Sequence, residues 1–133
     1  MQQKIQSEQK NSLHNYTLGE ELVNSISHGF GALFAIAGTV ILLYYSIILS
    51  DSWKIASSVI YGFSMIVLYT ISTVYHSLAK NRGKKVLRVL DHCIIYILIT
   101  GTYTPFCLVT LYGWIGFSMF GVLLTATARR LAY

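Results

Sequence analysis

The chain has 133 residues, 54 % apolar and only 11 % charged, with a single proline, far below the roughly 25 % charge of an ordinary soluble domain. That excludes a soluble globular protein and points to the membrane. The formal net charge is +5, but half of the basic residues lie between Lys80 and Arg88, in a short loop flanked by apolar runs; such a cluster sets membrane topology, whereas nucleic-acid binding needs a folded basic face.

Residues 1–16 are polar and contain no short apolar core with a small-residue cleavage site, so no secretory signal is predicted; they are expected to form a disordered cytoplasmic tail. The membrane domain is expected over 17–133. Thr17-Leu18-Gly19-Glu20 has the form of a capping box and predicts a helix starting near Leu18. On that helix Glu20, Asn24 and His28 are spaced by four, with Glu21 and Ser25 beside them, so a polar stripe runs to the membrane edge. The segment is expected to lie along the interface before the first span.

Gly29 to Leu49 carries no charge for 21 residues, enough at 1.5 Å per residue to cross a hydrocarbon core of about 30 Å. Ser50-Asp51-Ser52-Trp53-Lys54 forms a polar turn, with Trp53 at headgroup level. A second span follows over 55–78. In its last turns Ser72 and His76 stand at i and i+4, one above the other on the same helical face. Two readings fit them: a metal ligand with a polar helper, or a histidine at the interface with its nitrogens in headgroup water.

After the basic loop, Asp91-His92 open an uncharged run that is long enough for two spans, predicted near 92–111 and 114–130, with a turn at Tyr112-Gly113-Trp114. Pro105 cannot donate to the Gly101 carbonyl and is expected to bend the third span, the neighbouring threonine hydroxyls satisfying freed carbonyls. The fourth apolar segment, Trp114 to Ala128, gives only about 22 Å of helix and spans only if Arg129 and Arg130 snorkel. Cys93 and Cys107 have no second cysteine or histidine at zinc-finger spacing and are read as core residues.

The lysine and arginine bias places the N-terminus and the basic loop in the cytoplasm. Glu21, Asn24, His28, Ser72, His76, Asp91 and His92 then share the cytoplasmic ends of three helices. Ionisable groups gathered at one membrane depth suggest a common polar cavity. A Zn²⁺ ion suits imidazole ligands, and Asp91 could hold or deprotonate a metal-bound water for amide or ester hydrolysis. A catalytic zinc takes three protein ligands, however, and only His76 lies well inside the membrane, with His28 and His92 at the boundary. The plainer alternative is a set of interfacial polar residues that pair with one another and with headgroups.

The pattern Glu21-x-x-Asn24-x-x-Ser27-His28-Gly29, then Ser72-Thr73-x-Tyr75-His76-Ser77, then Leu90-Asp91-His92 followed by Gly101-Thr102-Tyr103-Thr104-Pro105-Phe106, resembles the bacterial hemolysin III family. That family belongs to the progestin and adipoQ receptor superfamily, which includes the adiponectin receptors and is similar to alkaline ceramidases. The resemblance covers Glu20 to about Leu124. It implies an all-α integral membrane bundle of seven helices in the bacterial plasma (inner) membrane, with a cytoplasmic N-terminus and a zinc ion near the cytoplasmic side. His76 matches the family's metal ligand on the second span, and Ser72 and Asp91 match the residues around its water, which makes them the candidate catalytic groups. Glu21, Asn24, His28 and His92 are the supporting polar cluster. The family's other two ligands form a His-x-x-x-His pair on the seventh helix. A chain of about four spans lacks that pair, so these residues read as a truncated form not expected to hold zinc alone, its partners being membrane lipid and either missing C-terminal helices or further copies of itself. The function implied is zinc-dependent hydrolysis of membrane lipid; a membrane-permeabilising cytolysin and a receptor or sensor of lipid state are the alternatives.

Overall fold

In the computed structural model the described residues are 17–78 and 82–132; the expected tail 1–16 lies outside them. Helix α1 runs Leu18–Ile48. Both halves of its capping box are present: the Thr17 hydroxyl accepts from the Glu20 amide at 3.3 Å, and the Glu20 carboxylate accepts from the Thr17 amide at 2.7 Å, satisfying two amides that a helix start leaves open. The expected interfacial segment and first span are therefore one helix of 31 residues, about 46 Å long, whose first turns extend beyond a 30 Å hydrocarbon core.

Ser50 takes a positive φ of 50° in the turn, and Asp51 caps α2 (Ser52–Ser77), accepting from the amides of Trp53 and Lys54 at 3.0 and 3.2 Å. Helix α3 spans Arg82–Pro105. It begins ten residues before the span expected at 92–111, because Lys84, Lys85 and Arg88 are good helix formers and the exposed charges of Lys85 and Arg88 can project past the membrane edge. The basic segment is thus largely helix rather than loop.

At Pro105 the helix does not end but passes into a π-helical stretch, Phe106–Thr110. A proline removes one i→i−4 hydrogen bond, and a change of helical register absorbs the defect. The threonine hydroxyls bond within the helix, Thr102 to the Leu98 carbonyl at 2.8 Å and Thr104 to the Thr100 carbonyl at 2.9 Å. Gly113, with φ of +118°, makes the turn into α4 (Trp114–Ala132), within the predicted Tyr112-Gly113-Trp114 turn.

Helix α2 lies between α1 and α3, while α4 packs on α3 and its π-helical end; the backbones of α1 and α3 do not approach within contact of each other among the described residues. Beside Leu68, Tyr75, Ile94 and Leu108, much of the interior is small and hydroxylated: Thr39, Ser46, Ser57, Ser58, Ser64, Ser72, Thr100 and Thr104 are buried, whereas Leu22, Phe34, Val40, Phe63 and Val122 are exposed. This inverts the soluble pattern and fits a bundle whose surroundings are lipid. Small residues let the helices close: a Cβ on Gly62 would collide with Thr39, and one on Gly101 with Ser64.

Three helical stretches, Leu18–Ile48, Ser52–Ser77 and Gly83–Thr110, are long and apolar enough to cross a membrane. Helix α4, the expected fourth span, is not among them; its late threonines and Arg129-Arg130 lower its apolar character. The molecule is an all-α membrane helical bundle.

Candidate functional site

The start of α1, the end of α2 and the start of α3 meet at one end of the bundle. On α1 the face turned to its neighbours is Glu21, Ser25 and His28, spaced i, i+4, i+7, rather than the stripe Glu20, Asn24 and His28. Glu20 is occupied by the capping box and points outward. Asn24 is half-buried, its backbone carbonyl accepting from the Ser27 hydroxyl at 3.1 Å.

Ser25 joins α1 to α2 through the Ser77 hydroxyl at 2.5 Å and by donating to the Thr73 carbonyl at 3.4 Å. One turn deeper, the His28 ring lies 6.0 Å from the His76 ring and 5.7 Å from the Tyr69 ring, centroid to centroid. Ser72, one turn before His76 on α2, is buried. Asp91 on α3 is half-buried, and its carboxylate, with that of Glu21 and the Lys84 ammonium, is close enough to act electrostatically on the His76 imidazole. His92 is not gathered into this group: it is exposed, with Nδ1 2.8 Å from the Arg88 carbonyl on its own helix.

Lys84, Tyr75 and Arg88 belong to the same end, although the sequence assigned none of them a role in the site. The Lys84 ammonium donates to the Leu78 carbonyl at 2.9 Å, pairs with the Glu21 carboxylate and lies 5.4 Å from the centre of the Tyr75 ring. The Arg88 guanidinium donates through Nε to the Tyr75 hydroxyl at 3.1 Å. A signal was present: Lys84, Arg88 and Asp91 stand at i, i+4 and i+7, one face of α3.

Does this donor set fit a catalytic zinc? His28 Nδ1 is buried without a hydrogen-bond partner among the described residues, which is what a nitrogen awaiting a ligand or water looks like. Yet no three His, Cys, Asp or Glu side chains among the described residues converge closely enough to hold a metal ion, and a catalytic zinc takes three protein ligands. The described residues do not by themselves form a complete zinc site.

The sequence profile of the family described as "Haemolysin-III related" matches residues 16–129. The "Hemolysin-3 homolog" of Bacillus subtilis (strain 168) is 42 % identical over 104 residues, covering 78 % of this chain and 49 % of that protein. "Hemolysin-3" of Bacillus cereus is 39 % identical over 106 residues, covering 80 % and 48 %. The human "Monocyte to macrophage differentiation factor" is 30 % identical over 102 residues, covering 71 % and 41 %. The chain thus spans about half the length of the curated relatives it matches. No solved structure matches it.

Proposed function

Because the chain belongs to the haemolysin III related family, we propose that its histidine end contributes to a hydrolytic site acting on amide or ester bonds of membrane lipids. The observation that carries this reading is the apposition of His28 and His76 at 6.0 Å, with Asp91 in electrostatic reach from a third helix. Hydrolysis needs a group that takes a proton from water and one that returns it to the leaving group, and a carboxylate beside an imidazole can do both. In this reading Asp91 handles the proton, the Ser72 hydroxyl steadies a nearby oxygen, and His76 is the donor for a metal.

A zinc ion here would need further ligands from outside these residues, from a longer protein or a second copy. Lipid as substrate agrees with the site's place at helix ends, since the amide and ester linkages of lipids lie where acyl chains meet headgroups. In this reading the protein sits in a bacterial inner membrane, and the basic residues between Lys80 and Arg88 support a cytoplasmic placement of that end and of the N-terminus.

The test uses the protein at the full length its gene encodes, reconstituted in liposomes that hold a trapped dye and fluorescent amide- and ester-linked lipids. Fatty acid should be released without dye leakage, and both a zinc chelator and His76→Ala should stop the release. Dye leakage without hydrolysis would replace this reading with membrane permeabilisation.

A further inference from the structure

We infer that Lys84 is a positioning residue of the histidine end: it fastens α1 and α3 across the tip of α2 and thereby sets how His28 meets His76. The inference rests on the proposed function only for what the positioned histidines do.

The side chain is 7 % exposed. A buried ammonium in a membrane protein is strongly unfavourable unless its charge is matched, so its partners identify its role. Those partners come from both other helices: the Glu21 carboxylate on α1, and on α2 the Leu78 carbonyl and the face of Tyr75. The Leu78 carbonyl belongs to the C-cap of α2, where the helix dipole concentrates partial negative charge and favours a cation. Helices α1 and α3 have no backbone contact among the described residues; the Lys84–Glu21 pair crosses the gap between them.

The contacts lead directly to the histidines. Glu21 stands seven residues before His28 on the face that also carries Ser25, so pulling Glu21 toward α3 turns His28 toward α2. Tyr75 is held by Lys84 from its ring face and by Arg88 at its hydroxyl, and its ring lies 4.7 Å from the neighbouring His76 ring. Near the opposite end the interface between α1 and α2 is held by a neutral contact, Ser46 to Ser58 at 2.9 Å. Among the described residues, the ion pair that joins two helices lies at the histidine end; the Lys54–Asp51 pair at the other end stays within one helix start.

Disulfide formation reads this positioning independently of hydrolysis. In the full-length protein with Cys93→Ser and Cys107→Ala, the pair Ser25→Cys/Ser77→Cys reports the histidine end and the pair Ser46→Cys/Ser58→Cys the opposite one. Lys84→Met and Glu21→Gln should each slow closure of the first pair about tenfold and leave the second within about twofold, because each strands the other half of a buried ion pair. Lys84→Arg, which keeps the charge and the donors, should stay within about threefold of the parent. An unchanged first pair, equal slowing of both pairs, or failure of Lys84→Arg to restore the rate would each overturn the assignment. If the crosslinking behaves as expected but no lipid is hydrolysed, the proposed function fails and the positioning role stands.

Discussion

The two ends of the bundle are built by different chemistry. At the histidine end, Glu21 pairs with Lys84, Ser25 with Ser77, His28 with His76 and Tyr75 with Arg88, so that charge, hydroxyl and ring contacts run across three helices. Toward the other end, Ser46 meets Ser58, and Trp53 packs edge-on against Tyr112 and Phe117 at 5.7 and 5.3 Å; between the ends Thr39 and Ser64 are pressed against Gly62 and Gly101. The second kind of packing suffices to assemble helices in lipid, where close approach and dispersion drive association. The charged and imidazole groups therefore exceed what assembly alone requires, and ionisable groups at membrane depth are retained for a purpose.

The largest effect should come from breaking the close-packed half. Gly101→Ala would set its new Cβ 2.9 Å from the Cβ of Ser64, forcing α2 and α3 apart, and is expected to lower stability in detergent by about 1–3 kcal/mol. At the histidine end Gly29→Ala meets only an ordinary contact, 3.7 Å to the Thr73 methyl, and should be neutral or slightly stabilising, since alanine is the better helix former. Thermal unfolding of the two variants beside the parent measures the contrast. Equal losses would mean that the two regions pack alike.

The smallest effect concerns the turn at the aromatic end. The backbone amide of Lys54 bonded to the Asp51 carboxylate holds it below the usual carboxylate range, with the Trp53 amide and the Lys54 charge adding to this. A carboxyl whose folded value is depressed contributes stability that is present above its unfolded value and is lost as pH falls through the folded one. The melting temperatures of the parent and Asp51→Ala should therefore differ at neutral pH and draw together in acid. A gap that stayed constant from neutral pH into strong acid would remove the cap from the account.

Much of the frame was legible in the sequence because it is local. The capping box at Thr17 and Glu20, the glycine turn at Gly113, and the shared face of Ser72 and His76 follow from spacing within one segment. Relations between helices were harder. Which of Glu20 and Glu21 faces inward depends on the roll of α1 against α2, and periodicity within a helix does not set that roll. Lys84 read as one of several topogenic charges because its value as an ion-pair partner appears only when α3 begins at Arg82 and brings it beneath Glu21. His92 shares a dipeptide with Asp91, yet adjacent residues on a helix point about 100° apart; one turns toward the site and the other away. The π-helical stretch after Pro105 was visible only as an expected bend.

The central claim is that the described residues bring a histidine and its polar surroundings to one end of three helices without completing a metal centre. Zinc content tests it most directly: the 133-residue chain is purified in detergent, loaded with zinc, desalted and analysed for metal beside His76→Ala. With fewer than three converging ligands, the account predicts far less than about one zinc per chain, and little difference between parent and variant. About one zinc per chain, lost on His76→Ala, would contradict it and show that these residues build a metal site of their own.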